Sequence, residues 1–104
     1  MSDSFVTASV ELINAVGLHA RPSVKLTQLA KSFASDLEVA LAPGGPWVDA
    51  KSPVKIMRVK ASKGAVLHFR ACGVDAAAAV ASVVDLIERR FDEGDEASLG
   101  EARG

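Results

Sequence analysis

The sequence predicts an α+β fold, in which three helices cover one face of a four-stranded antiparallel sheet. Short segments rich in β-forming residues alternate with stretches whose apolar residues recur at helical spacing. The resulting order, β-α-β-β-α-β-α, suits helices packed on one face of such a sheet. A chain of 104 residues is long enough for one domain and too short for two ordinary ones.

The first half of the chain predicts a strand, a helix and two further strands. Residues 5–12 alternate imperfectly and are rich in β-formers, which indicates the first strand. Apolar residues recur at helical spacing from residue 20 to about residue 34. Residues 37–41 alternate as a second strand, the Pro43-Gly44-Gly45-Pro46 segment predicts a turn, and residues 47–50 begin a short third strand.

The second half predicts a short helix, a strand and a long helix. Ser52-Pro53 is typical of an N-cap followed by proline at the first helical position, and Ser62-Lys63-Gly64 ends that helix early. Residues 65–71 form the fourth strand, and residues 75–91 carry the clearest amphipathic helix. We therefore divide the chain into a domain, residues 1–92, and a loose acidic tail, residues 93–104.

The composition is that of a globular protein, with 49% hydrophobic and 24% charged residues. No apolar run approaches the length of a membrane span, and the N-terminus lacks the pattern of a signal peptide, so we expect a cytoplasmic protein without membrane insertion. The single cysteine, Cys72, cannot form an internal disulfide, and we expect it to be a small core residue.

The net charge of −1 is unevenly distributed. Residues 92–104 contain five acids and one arginine, which sum to −4 and leave +3 for the rest of the chain. Such a bias is either an ordinary solvated face or a weak attraction for an acidic partner or a phosphate. It is too small to indicate a nucleic-acid-binding domain.

The segment Gly17-Leu18-His19-Ala20-Arg21-Pro22-Ser23 places one imidazole between a predicted strand and a predicted helix. The start of a helix has unpaired N–H groups and partial positive charge, both suited to an anion. Gly17 lets the backbone turn, Pro22 fits the first helical turn, and Arg21 adds a permanently charged group of donors. Two interpretations remain: His19 carries a phosphoryl group, or it only caps the helix.

This segment resembles the active-site signature of the HPr family, the histidine phosphocarriers of the bacterial phosphotransferase system. The second signature of that family follows in the expected order, as Ala50-Lys51-Ser52, Ile56-Met57 and Ala61-Ser62-Lys63-Gly64. The resemblance covers roughly residues 5–92. It implies an open-faced sandwich of one four-stranded sheet, two long helices and one short helix, and it supplies a strand order that periodicity does not.

The resemblance implies a carrier rather than an enzyme. Phosphorylated enzyme I would donate a phosphoryl group to the Nδ1 atom of His19, and a histidine of an enzyme IIA protein would accept it. We expect the backbone N–H groups of Ala20 and Arg21 to bind the phosphate, and the Arg21 guanidinium to neutralise developing charge. No cofactor is expected, and no metal-ligand cluster accompanies His19 in the sequence.

Two further sets of residues follow from the resemblance. In some members an ATP-dependent kinase phosphorylates a serine in the context of Ala50-Lys51-Ser52, which makes Ser52 a candidate regulatory site as well as a helix cap. The Pro53-Val54-Lys55 segment after it departs from the family pattern, and the Pro43–Pro46 turn is about two residues longer than usual. We expect partner proteins to dock on residues around the site: Ala20, Val24, Pro53, Val54, Lys55 and Met57.

Four alternatives stay open or are weakened by the sequence. A nitrogen-type HPr would keep the chemistry in a purely regulatory role, which Asn14 and the altered residues after Ser52 favour. A non-catalytic α+β binding module would use His19 only as a cap. In every case we expect His68 to be a solvent-facing strand residue without chemistry, because it alternates with Leu67 and Phe69. RNA binding lacks aromatic residues for stacking on a strand, and a hydrolase lacks an acid or base near His19. We expect a monomer.

Overall fold

Helices and strands follow one another in the predicted order, βαββαβα. The computed structural model describes residues 5–13, 17–18 and 20–92. Its elements are β1 (Val6–Glu11), α1 (Ala20–Lys31), β2 (Asp36–Ala40), β3 (Val48–Asp49), α2 (Pro53–Val59), β4 (Val66–Cys72) and α3 (Ala76–Glu88). A short 3₁₀ turn, Arg90–Asp92, follows α3.

The four strands form one antiparallel sheet in the order β1-β4-β2-β3. β4 lies between β1 and β2, and its Ala71 is opposite Val6 on one side and Leu37 on the other. β3 is a two-residue edge strand paired with β2. The α+β class and the open four-stranded sheet are thus confirmed.

The core lies between the sheet and the helices. Alternate residues of β4 are buried, as the period of two in its sequence predicts. Phe69 and Leu67 from β4 and Val39 from β2 are fully buried, and each contributes about 1.5–3 kcal/mol by burial. The helices contribute the other half of the core, chiefly Leu26, Ala30, Ile56, Val80, Val83 and Ile87.

No helix in the described part of the chain is long and apolar enough to cross a membrane.

The helix α1 ends at Lys31, three residues before its predicted end. The Ser32 hydroxyl donates to the carbonyl of Leu29 at 2.6 Å, and the Ser32 amide donates to the same oxygen at 3.0 Å. A serine that binds the backbone in this way competes with the helical hydrogen-bond pattern. The helical spacing of apolar residues therefore continues to Phe33, two residues beyond the end of the helix at Lys31.

The helix α3 ends at Glu88 rather than at Phe91. Arg90 and Phe91 have φ angles of 54° and 59°, in the left-handed region that residues with a Cβ rarely adopt. Phe91 is nevertheless fully buried, as its place in the apolar stripe predicts. A reversal of the chain, rather than a further helical turn, brings its ring into the core.

The face of the sheet away from the helices carries a stacked arginine. The Arg70 guanidinium lies 4.7 Å from the centroid of the Phe5 ring and 4.3 Å from that of the Trp47 ring. Its Nε donates to the Glu38 carboxylate at 2.7 Å. Cys72 shares this face and is half-buried there, because the alternation of β4 directs Ala71 and not Cys72 to the core. The expectation that Cys72 is a core residue is wrong.

Asp75 joins the α1–β2 connection to the start of α3. Its carboxylate accepts hydrogen bonds from the backbone N–H groups of Ala34 and Ser35, both at 2.9 Å, and from the Ser35 hydroxyl. The Ser35 hydroxyl in turn accepts from the Asp75 amide at 3.1 Å. These hydrogen bonds hold the pKa of the Asp75 carboxyl below its usual value. The bond from the Ser35 hydroxyl is the largest cause, and the bonds from the backbone N–H groups come next.

Replacing Asp75 by asparagine should lower the melting temperature at pH 7, because an amide cannot accept all three hydrogen bonds. A pKa lowered by folding stabilises the protein above the ordinary aspartate pKa of about 3.9, and this stabilisation is lost as pH falls through the folded-state value. The variant should therefore lose part of the acid dependence of the melting temperature below about pH 4. Asp36→Asn, a change of the same charge, is the control, and equal melting curves for the two variants would contradict the prediction.

Candidate functional site

The candidate site lies at the start of α1. His19 itself lies outside the described residues, as does residue Asn14, but its two neighbours are described. Leu18 is buried, and Ala20 is the exposed first residue of α1. His19 thus directly precedes a 12-residue helix, whose first N–H groups have no partner within the helix. Arg21, the second helical residue, is exposed.

Gly17 fixes the backbone just before the site. It is buried, and its φ angle is +70°, which a residue with a Cβ rarely adopts. A Cβ at this position would lie 2.7 Å from the carbonyl oxygen of Ala61 and 2.9 Å from the Cα of Ser62. Only glycine therefore fits between these two backbone segments.

The two sequence signatures meet in space at this point. The Leu18 amide donates to the Ala61 carbonyl at 2.9 Å, so the segment before α1 is bound to the segment that follows α2. Gly64 and Leu12 are joined in the same way, since the Gly64 amide donates to the Leu12 carbonyl at 2.8 Å. The Ala61-Ser62-Lys63-Gly64 segment therefore supports the backbone that leads to His19.

The helix α2 packs against α1 and runs in the opposite direction. Ala61, just after α2, binds Leu18 just before α1, whereas Lys51, just before α2, donates from Nζ to the carbonyl of Phe33 at 2.9 Å, just after α1. The start of α2 therefore lies toward the C-terminal end of α1. Since seven helical residues span about 10 Å, Ser52 is separated from the start of α1 by most of the length of α2.

Ser52 is the N-cap of α2, as predicted. Its φ and ψ angles of −111° and 111° are extended, and its Oγ accepts from the Lys55 amide at 3.3 Å. Pro53 occupies the first helical position. Lys60, with a φ of 57°, closes the helix by donating its amide to the Met57 carbonyl at 3.2 Å.

The predicted docking residues lie on the two packed helices and are mostly exposed. Val24, Val54 and Met57 are 42%, 53% and 36% exposed, and five other large apolar side chains of the described residues are exposed elsewhere on the surface. Ala20 and Lys55 are also exposed, whereas Pro53 is half-buried.

Two features of α1 are not apparent from the sequence. Lys25, which the sequence indicates as an ordinary solvated residue, is half-buried and donates from Nζ to the carbonyl of Phe91 at 2.7 Å. The hydroxyls of Ser23 and Thr27 are buried, and neither has a hydrogen-bond partner among residues 5–13, 17–18 and 20–92. Only the unexpected polarity of Ser23 and Thr27 within an otherwise apolar helix face could have drawn attention to them.

His68 is not part of this site. It is half-buried in β4, on the sheet face away from the helices, where it lines a shallow depression of about 270 Å³ together with Trp47 and Ser9. The structure therefore places the described neighbours of His19 and the other histidine of the chain on different sides of the sheet.

Comparison with known proteins gives one consistent family. The family model described as "PTS HPr component phosphorylation site" matches residues 6–89. A phosphocarrier protein HPr from Neisseria meningitidis is 41% identical over 87 residues, which cover 84% of this chain and 96% of the relative. A phosphocarrier protein NPr from Escherichia coli is 35% identical, over 85% of this chain and 97% of the relative.

A solved structure shows the same fold. The crystal structure of HPr-C-His from Thermoanaerobacter tengcongensis superimposes with a TM-score of 0.78 at 38% sequence identity. The superposition covers 85% of this chain and 97% of that one.

Proposed function

The chain belongs to the HPr family of phosphotransferase-system phosphocarriers, and we propose that His19 is the residue that carries its phosphoryl group. The observation that supports this assignment is the position of His19 directly before the first residue of α1. A group bound there meets helical N–H groups that have no partner within the helix, together with the positive end of the helix dipole.

The chemistry requires a neutral imidazole. In the proposed first transfer the Nδ1 lone pair of His19 attacks phosphorus, a P–N bond forms, and the P–N bond to the donor histidine of enzyme I breaks. In the second transfer the same bond breaks as a histidine of enzyme IIA attacks. An ordinary imidazole, with a pKa of about 6.5, is largely neutral at pH 7. The amides of Ala20 and Arg21 would bind the phosphoryl oxygens, and the Arg21 guanidinium would offset their charge.

An exposed site suits a carrier better than a deep one. A carrier must release the group it accepts, and strong stabilisation of the phosphorylated form would raise the barrier to the second transfer. Ala20 and Arg21 are both exposed, so that solvent moderates the attraction between the cation and the phosphate. This arrangement supports a protein that passes the group between histidines of partner proteins in the cytoplasm, and we expect it to act as a monomer.

The proposed partner surface combines apolar and cationic groups. Val24, Val54 and Met57 offer exposed apolar area on α1 and α2, and Lys55 lies among them as an exposed cation. A small surface of this kind fits a transient complex with an acidic partner. Enzyme I and enzyme IIA would use it in turn.

The direct test is transfer from phosphoenolpyruvate through enzyme I. Incubation with both should add one phosphoryl group to the intact protein by mass spectrometry, and that group should be lost in acid, as expected of a phosphohistidine. An unchanged mass, with an active enzyme I that phosphorylates an authentic HPr in the same mixture, would reject the proposal.

A regulatory, nitrogen-type role is the second candidate, because a phosphocarrier protein NPr is among the relatives at 35% identity, compared with 41% for the HPr relative. Both roles use the same histidine chemistry, so that only the acceptor distinguishes them. The phosphorylated protein should be offered a sugar-type and a nitrogen-type enzyme IIA in parallel. Transfer to the nitrogen-type acceptor alone would assign the regulatory role.

We expect Ser52→Asp to leave stability unchanged or slightly improved and to slow phosphate acceptance. An anion at the start of α2 is favourable by about 0.3–1 kcal/mol through the helix dipole. The same charge would repel an acidic donor docked on α2, and this repulsion is screened beyond about 10 Å at 0.1 M salt. Stopped-flow transfer rates at low and high salt check this, and the control is Ser9→Asp, at an exposed serine on the sheet face away from the helices. Equal rates for wild type and Ser52→Asp at low salt would leave Ser52 as a cap alone, with no role for a serine kinase.

A further inference from the structure

A pocket of about 250 Å³ lies between α2 and the turn that joins β2 to β3. The strand β3 contacts α2, and the pocket opens beside this contact. It does not include the segment around His19. Its lining residues are Leu41, Pro46, Val48, Lys55, Arg58 and Val59.

Most of the lining is apolar. Val48 and Val59 are half-buried and pack against the hydrophobic core, so the inner end of the pocket rests on the core. Leu41, just beyond the end of β2, remains 47% exposed beside them. A bound molecule with an apolar body would remove this surface from water, which favours binding.

The other side of the pocket is cationic. Lys55 and Arg58 are three positions apart on α2, a spacing that brings helical side chains to the same face. Both are exposed, and neither side chain has a hydrogen bond or an ion pair with any of residues 5–13, 17–18 and 20–92. No carboxylate of these residues lines the pocket. The described part of the chain therefore leaves both charges available to an anion.

We propose that this pocket binds a small organic anion, whose apolar body contacts Leu41, Val48 and Val59 and whose head group binds Lys55 and Arg58. A carboxylate and a phosphate are both suitable head groups, because a guanidinium donates two parallel hydrogen bonds to either. The pocket is smaller than most cofactor sites, so it fits a single ring or a short alkyl chain. The proposal does not rest on phosphoryl transfer at His19.

Binding of such a molecule should be weak, because the pocket is open to solvent. A ligand of about ten non-hydrogen atoms should have a dissociation constant of about 1–10 mM. Loss of the Arg58 charge should weaken binding about three- to tenfold, since it removes a charged donor from an exposed site.

The test uses amide NMR titrations of the full-length chain with four probes of different chemistry. Phenylpropionate and phenyl phosphate each combine a ring with an anionic head group. Phenylpropionamide keeps the ring without the charge, and acetate keeps the charge without the ring. Arg58→Gln removes one cation of the pocket, and Lys31→Gln is the control, because it removes one exposed cation of α1 that does not line the pocket.

The proposal predicts that phenylpropionate or phenyl phosphate shifts the amide signals of Leu41, Val48 and Val59, and that binding is weakened in Arg58→Gln but not in Lys31→Gln. The acid that binds more tightly identifies the head group. Equal binding of phenylpropionamide would overturn the role of the cations, and equal binding of acetate would overturn the role of the apolar lining. Unchanged signals with both acids, well above the expected dissociation constant, would overturn the pocket as a ligand site.

A transfer assay separates this proposal from the proposed function, because Lys55 also belongs to the proposed partner surface. Slower acceptance from phosphorylated enzyme I in Arg58→Gln than in Lys31→Gln, in a chain that binds neither acid, would assign the two cations to a protein partner and overturn the small-molecule site. Binding of an acid by a chain that accepts no phosphate would reject the phosphocarrier assignment and support the pocket.

Discussion

Replacing His19 by alanine should abolish phosphate acceptance while the protein keeps its fold. The change removes the proposed nucleophile, and the Arg21 guanidinium cannot replace it because it is permanently protonated and has no free lone pair for attack. The cost to stability should be at most about 1 kcal/mol, the size of a helix-cap contribution. Intact mass spectrometry after incubation with phosphoenolpyruvate and enzyme I measures the first effect, and thermal unfolding measures the second.

His68→Ala is the matched control, because it removes the only other histidine from the opposite side of the sheet. This variant should accept phosphate at the wild-type rate. Acid-labile phosphorylation that persists in His19→Ala and disappears in His68→Ala would reassign the site to the face that carries Trp47.

Arg21→Ala should give an intermediate result, with slower acceptance but an unchanged stoichiometry, since it removes a charge and not the nucleophile.

Replacing Gly17 by alanine should destabilise the protein strongly, by about 2–5 kcal/mol. Two costs combine: the left-handed backbone conformation is unfavourable for alanine, and the new methyl group meets the carbonyl of Ala61 at 2.7 Å. The obstructing atoms belong to the backbone and cannot rotate away. Chemical denaturation should detect a loss of this size directly, and phosphate acceptance should slow because the approach to His19 is displaced.

Two other glycines separate these costs. Gly64 has a φ of +94° but open space around its Cα, so Gly64→Ala should show the conformational cost alone, about 1–2 kcal/mol. Gly44 has neither a positive φ nor a close neighbour, and Gly44→Ala should be nearly neutral. A Gly17→Ala protein no less stable than Gly64→Ala would show that the Ala61 segment yields easily, contrary to its role as a support.

The sequence was sufficient for the parts of the fold that depend on local periodicity. The apolar stripe of α3, the alternation in β4 and the N-cap at Ser52 each arise from neighbouring residues, and each is present. The strand order came from the family resemblance, because it depends on which distant segments pair. The premature end of α1 depends on hydroxyls that bind the backbone, which apolar spacing does not report.

The features of the candidate site also fall into those that could be predicted from the sequence and those that depend on distant contacts. The resemblance proposes His19, Arg21 and Ser52 as site residues, and the structure confirms only that a helix begins at Ala20, the residue after His19. The turn at Gly17 was predicted, but its close approach to Ala61 and the hydrogen bond from Lys25 to Phe91 were not, because each depends on a partner more than forty positions away. Contacts of that kind become visible only when the chain has been folded in three dimensions.

The stacking of Trp47 on Arg70 has a practical consequence for experiments on this protein. Trp47 is the single tryptophan, and the sequence contains no tyrosine, so fluorescence excited at the long-wavelength edge of the protein absorption originates from one indole on the sheet face away from the helices. Its fluorescence monitors whether the guanidinium sandwich, and with it the sheet, is intact. Because this indole lies on the opposite side of the sheet, we expect its fluorescence to be insensitive to chemistry at the start of α1. One optical signal can therefore follow unfolding while isotope or mass measurements follow the phosphoryl group in the same sample, and a defect in folding is never mistaken for a defect in transfer.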